Sequence, residues 1–347
     1  MSQQRGVRLT RTAENVTEID ALAAVAGGRA PLEELLAALP HQARRAAAGR
    51  FLGRAVDEAY TWTARDNRDH QWWPQGISTS ADADRSEVVA GRRLLVVSWY
   101  SHPVDGESHG SRVTFLDLDT LRYGHVLLVV PTVDGGGAVS LRPLTVHAGG
   151  LVWSGGFLLV AATSRGVVSF RIDDLVRAGG GLPAYGHDWL LPVRFSYRAR
   201  TPEGHAGLRY SFLSLDRERR PHSLVTGEYG RGTASTRLAR FDLDIGSGLL
   251  VAGDDGTATP VALDDGGVAQ MQGAVVARGR HHVTVSRGAW WPGDVYVGEP
   301  GSLQRRRMAV PMGPEDLSYW PSTDRLWSVS EHPRRRWIFS MRRSWFD

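Results

Sequence analysis

From residue 72 onward, short apolar runs alternate with clusters of Gly, Asp, Ser and Pro. Runs of this length, closed by turn residues at both ends, read as β-strands rather than helices. They recur in sets. The first runs are PQGISTS at 74–80, AGGLVWS at 148–154, RYSFLSL at 209–215, MQGAVVA at 271–277 and PEDLSYW at 314–320. The second runs are RLLVVSWY at 93–100, FLLVAATS at 157–164, HSLVTGEY at 222–229, HHVTVSR at 281–287 and RLWSVSE at 325–331. The third are RVTFLDLD at 112–119, GVVSFRID at 166–173, RLARFDLD at 237–244, DVYVG at 294–298 and RWIFSM at 336–341. Most sets carry a fourth run, as at 124–131, 189–197, 258–263 and 305–311.

A repeated four-strand unit predicts an all-β fold, a five-bladed β-propeller over residues 59–347. The last set runs out of chain after its third strand. An open sheet edge invites further pairing, so the missing strand is expected from the N-terminal side, near Ala59 to Thr63. Residues 1–58 follow helical spacing instead. Thr17 with Asp20 marks a helix start, Gly27 a stop, and Pro31 opens the helical run PLEELLAAL; a third helix is expected over 41–56. The domain organisation is thus a short α-helical N-terminal segment, 1–58, packed on the propeller.

Composition narrows the chemistry. The 40 glycines suit a turn-rich fold. No lysine occurs, so all 41 basic residues are arginines, and 37 acidic residues offset them. The basic runs at 217–220, 304–307 and 334–336 are separate, not one continuous face, and no nucleic-acid partner is expected. The lack of cysteine excludes disulfides, thiolate metal sites and a Cys nucleophile. The longest apolar stretches, such as ALAAVA at 21–26 and VLLVV at 126–130, are too short to span a bilayer, so no membrane partner is expected. No export signal is visible, and a cytoplasmic location is expected.

The strings HAGG at 147–150, YSFLSLD at 210–216, MQGAV at 271–275 and PEDLSYWPSTD at 314–324 resemble a group of uncharacterised bacterial propeller proteins, many of them exported. The resemblance implies the propeller fold and supplies no activity or site residues.

In a propeller, the starts of innermost strands and the ends of second strands gather at one channel mouth, the default pocket. Here that mouth is expected to hold Trp73, Gln75, His147, Arg209, Tyr210, Gln272 and Glu315 from the first runs. The second runs contribute Trp99, Tyr100, Arg165, Glu228, Tyr229, Arg231, Arg287, Trp290 and Glu331. His147 and Glu315 are the candidate catalytic acid–base groups. Gln75, Tyr210 and Gln272 would orient polar atoms. Arg165, Arg231 and Arg287 sit at equivalent places in successive repeats and would suit an anion. The tryptophans favour an apolar or aromatic small-molecule ligand. No dinucleotide fingerprint, P-loop or metal-spaced histidine set is visible; no cofactor and no catalytic metal are expected. The expected function is a small-molecule enzyme working by acid–base and electrostatic catalysis without a redox cofactor, whether isomerase, cyclase, lyase or hydrolase. A carbohydrate-binding or glycan-cleaving propeller and a protein-interaction scaffold are the alternatives, since fold alone does not choose.

Overall fold

The computed structural model describes residues 6–47, 52–104 and 106–347. The apolar runs form antiparallel meanders. The first meander comprises strands Trp72–Thr79, Leu94–Ser101, Ser111–Asp117 and Arg122–Val133. The second comprises Leu151–Ser154, Phe157–Ala161, Gly166–Arg171 and Trp189–Arg200. Phe212–Asp216, His222–Gly227, Leu238–Leu243 and Ala262–Asp264 make the third. Met271–Ala277, Arg280–Val285, Gly293–Gly298 and Gln304–Val310 make the fourth. In the fifth, Pro314–Trp320, Arg325–Ser330 and Trp337–Arg342 are completed by Val56–Thr61, which pairs antiparallel with Trp337–Met341.

The first strands of successive meanders pack on one another, and that of the fifth returns to that of the first, closing a ring. The outer strands of the first two meanders also pair in parallel, Leu190–Pro192 against Leu127–Val129, fusing them into one 13-stranded sheet. Within the meanders, strands are buried on both faces. Leu94 and Val96 enter one apolar cluster while Leu95, Val97 and Trp99 enter another. That double burial is why these runs read as continuously apolar instead of alternating.

Close approach of the inner strands demands small residues. A Cβ on Gly150 would lie 2.0 Å from the Leu213 nitrogen of the third meander, and one on Gly273 would lie 2.6 Å from Asp316 Cα of the fifth. The HAGG and MQG strings are thus packing requirements as well as repeat markers.

The N-terminal segment stitches the rim. Arg8–Arg11 pairs with Tyr197–Arg200 and, at Leu9 and Thr10, with Thr257–Ala258, linking the second and third meanders. Helix Val16–Ala26 buries Ile19, Leu22 and Ala23, and helix Leu32–Ala37 buries Leu32, Leu35 and Leu36. The helix expected over 41–56 does not form at the described positions. His41–Gln42 adds to Arg122–Tyr123, and Arg44–Arg45 adds to Tyr60–Thr61; residues 48–51 lie outside the described residues. Ala43, between the two short strands, is buried while Gln42, Arg44 and Arg45 are exposed, so this short stretch carries no regular alternation that would announce a strand. Among the described residues, no helix is long and apolar enough to cross a membrane.

Candidate active site

Three of the inner strands are irregular where they enter the ring. Register shifts fall between Pro74 and Ile77, between Met271 and Gly273, and between Pro314 and Leu317. The residues skipped by the ladder include Gln75, Gln272 and Glu315. A bulge releases a side chain from strict alternation and re-aims it, a device common beside active sites. Here all three side chains line one cavity of about 350 Å³, together with His147, Thr163, Arg209, Ser211, Tyr229 and Glu331. A wider cleft of about 730 Å³ shares Tyr229, Gln272 and Glu331 and adds Arg231, Gln270, Ser286, Arg287 and His332.

Two carboxyl groups define the cavity's chemistry, each held by an amide. Gln272 Nε2 donates to Glu315 Oε1 at 3.0 Å, and Gln75 Nε2 donates to Glu331 Oε2 at 3.1 Å. Burial, reinforced by the neighbouring Glu331 and Asp316 charges, raises Glu315 well above the usual carboxyl range. Burial also pushes Glu331 up to about 7, against the opposing pull of the Gln75 amide and the Arg336 charge. The backbone around them is fixed. Thr284 Oγ1 donates to the Glu315 carbonyl at 2.7 Å, and Arg336 Nε donates to the Glu331 carbonyl at 2.7 Å. Asp316, next to Glu315, turns away from the cavity; its Oδ2 accepts from Leu151 N at 3.1 Å.

An aromatic margin flanks the carboxyls. The His147 ring packs tilted against Tyr100 at 4.4 Å, and the Tyr100 hydroxyl lies 2.7 Å from His102 Nε2. Trp73 packs beside His102 at 4.7 Å and His332 at 5.7 Å. Burial lowers His147 from its ordinary value, with a smaller contribution from His102, so its imidazole is neutral at pH 7. Burial and then the Glu331 and Glu315 charges raise the Tyr100 phenol, keeping it a neutral hydrogen-bonding group.

Of the residues expected at the mouth, Gln75, His147, Arg209, Tyr229, Gln272, Glu315 and Glu331 line the cavity, while Arg231 and Arg287 line the adjoining cleft. Trp73 and Tyr100 stand at its margin. Five others do not line it. Trp99 is fully buried on the face of its strand opposite Tyr100, 4.9 Å from Trp62, because adjacent strand residues point to opposite sides. Tyr210 falls to the same parity and packs among Phe241 and Leu208, leaving Ser211 and Arg209 to face the cavity. Glu228 is locked to Arg237, whose Nε and Nη2 donate to its two oxygens at 2.9 and 2.8 Å. Burial alone would raise the Glu228 carboxyl, but those bonds hold it below its ordinary value, so it is a structural anion. Arg165 is exposed and donates to the Thr145 carbonyl. Trp290 is 78% exposed, with the Arg335 guanidinium 4.5 Å from its ring. The arginines of successive repeats therefore do not converge as a trio: Arg231 and Arg287 share the cleft, and Arg165 lies apart. Ser211, Gln270, Ser286 and Arg336 were not singled out from sequence. Arg336 sits in one of the basic runs, where its neighbours mask its complete burial.

No family model and no curated protein matches the chain. Among solved structures, the chain is similar to a gluconolactonase from Xanthomonas campestris at 14% identity and a TM-score of 0.37, over 87% of this chain and 84% of that one. It is similar to a GH43_1 enzyme from Xanthomonas citri, complexed with xylotriose, at 13% identity and a TM-score of 0.35, over 78% and 87% of the two chains. Hydrazine synthase from Kuenenia stuttgartiensis gives 13% identity and a TM-score of 0.32, over 76% and 78%. Likeness at this level assigns no activity.

Proposed function

We propose that the chain is an acid–base enzyme on a five-bladed propeller, acting on a small polar, hydroxyl-bearing substrate held between Glu315 and Glu331. The four-stranded meanders and the ring of their first strands support the blade assignment. The observation that carries the activity is the pair of carboxyl groups sharing one cavity, one raised well above its ordinary range and the other raised to about 7. Two carboxyls with separated proton affinities divide the roles of acid and base at neutral pH. Glu315, kept neutral, gives its proton to a departing oxygen. Glu331, ionised above pH 7, takes a proton from an attacking water or from substrate. In a hydrolysis the water oxygen bonds to substrate carbon as the carbon–oxygen bond breaks. One proton moves to Glu331, another leaves Glu315, and exchange with solvent restores both.

The lining favours polar ligands. Gln75, Gln272, Ser211, Thr163, Tyr229 and Arg209 offer hydrogen bonds, and the exposed tryptophans lie elsewhere. We therefore propose a polar ligand where the sequence suggested an apolar or aromatic one. Cleavage of a glycosidic bond is the special case in which the departing oxygen belongs to a sugar, and the same carboxyl pair favours it.

The test is hydrolysis of a panel of aryl glycosides and sugar lactones by the wild type, Glu315→Gln and Glu331→Gln. Active substrates should lose about 10²–10⁴ in kcat with either variant. The wild-type rate should rise with pH through a limb near 7, as Glu331 ionises, and fall at higher pH as Glu315 loses its proton. Equal rates for wild type and both variants on every hydrolysed substrate would reject the assignment.

A further inference from the structure

Away from the cavity, the fold brings together a donor set that the sequence keeps far apart. His41 comes from the N-terminal segment, Asp66 from the short helix Ala64–Arg68 after the closing strand, and His125 from the outer strand of the first meander. One donor atom from each lies within 4.8 Å of the other two. Asp66 Oδ2 is fixed by the Tyr123 hydroxyl at 2.5 Å and by Thr63 Oγ1 at 3.0 Å, leaving Oδ1 toward the histidines.

His125 supplies the second observation. Its side chain is only 9% exposed, and among the described residues its buried Nε2 has no hydrogen-bond partner of good geometry, although it stands 3.4 Å from Asp66 Oδ1. The other ring nitrogen, Nδ1, is 2.6 Å from Thr114 Oγ1. If Nδ1 carries the proton toward Thr114, Nε2 presents a lone pair to a carboxylate oxygen, and the two repel unless a cation stands between them. A hydrogen bond at the far nitrogen is also how proteins orient a metal-bound imidazole. From these contacts we infer that His41, Asp66 and His125 form a binding site for a zinc-class divalent transition metal.

Two imidazoles and one carboxylate are a zinc-type donor set with a fourth position left for water. Donors on a zinc tetrahedron stand roughly 3.4 Å apart, so His41 must turn inward by about an ångström. Its ring is half-buried and makes no hydrogen bond among the described residues, so the turn breaks none of these. Arg112 Nη2 lies 3.5 Å from the same Asp66 oxygen, and its guanidinium sits against Trp72 and Trp99 at 4.5 and 4.8 Å. Its charge is set against Asp66 and Asp69, while Arg65 and Asp188 add one charge of each sign near His41. The bound ion would staple the N-terminal segment, the closing segment and the first meander at the seam of the ring.

The experiment uses the full chain, stripped with a chelator and titrated with Zn²⁺ by calorimetry, with melting temperature followed in parallel. One Zn²⁺ should bind per chain and raise the melting temperature, with Ca²⁺ and Mg²⁺ doing neither. His41→Gln should melt like the stripped wild type and bind Zn²⁺ far more weakly. Thr114→Val, which removes only the group orienting His125, should weaken binding roughly 10–100-fold. Absence of stoichiometric binding, or binding unchanged in His41→Gln, would overturn the site. Since neither outcome involves Glu315 or Glu331, the result is independent of the hydrolysis assay.

Discussion

At the scale of single residues, Glu331 carries a measurable thermodynamic signature. Its carboxyl is lifted from an ordinary 4.5 to about 7, first by burial. Below pH 4.5 the group is neutral in both folded and unfolded chains and affects stability little. Between the two values the unfolded chain ionises first, so the folded state loses ground as pH rises. Above pH 7 the full cost applies, roughly 3 kcal/mol. Glu331→Gln keeps the shape and an acceptor for Gln75 but cannot ionise. It should therefore raise the melting temperature at pH 8 and leave it nearly unchanged at pH 4; a uniform effect at both pH values would contradict the burial argument. The sequence disclosed much of this site. Gln75, Gln272 and Glu315 stood at equivalent places in the repeats, and repeat equivalence survived folding. Tyr210 stood at such a place too, yet it packs inside: its meander pairs without a register shift, whereas the strands of Gln75, Gln272 and Glu315 each carry a bulge that re-aims the side chain, and a bulge leaves no mark in composition. The low accessibility that separates Glu331 from an ordinary surface glutamate comes from strands distant in sequence.

At the scale of elements, closure of the ring was legible because the fifth set of runs ended one strand short. Val56–Thr61 fills that place, with Ala59 opposite Phe339 and Tyr60 opposite Ile338. Less was legible beyond it. Arg44–Arg45 covers the outer side of the closing strand, so the fifth sheet ends in a two-residue arginine edge. Short, charged edge strands resist further pairing. Deleting residues 1–65 removes both layers and bares the Trp337–Arg342 edge, whose Ile338, Phe339 and Met341 are completely buried in the intact chain. The truncated chain should aggregate on expression or elute as large oligomers in size-exclusion chromatography. A monomeric product that unfolds cooperatively would show that the closing strand is dispensable.

For the molecule as a whole, the ring is held at its axis by a polar cross-link. Asp316 is fully buried in the first strand of the fifth meander. Its Oδ2 accepts from Ile77 N of the first meander at 3.4 Å and from Leu151 N of the second at 3.1 Å. One carboxyl group thus joins the first strands of three meanders that share no ladder at that point. Burial raises its pKa well above the ordinary range, while those backbone donors oppose the rise. What the cross-link needs is an oxygen acceptor of the right shape more than a charge. Asp316→Asn keeps such an oxygen and should change stability by less than about 1 kcal/mol. Asp316→Ala strands two buried N–H groups and should cost about 2–6 kcal/mol, since an unsatisfied buried donor costs roughly 1–3 kcal/mol. Guanidinium denaturation of the two variants beside the wild type separates the effects. If Asn is as harmful as Ala, the charge itself holds the ring. If both are harmless, the sheets close by apolar packing alone. An Ala variant that loses stability while unfolding in two steps would locate the seam at which the ring first opens.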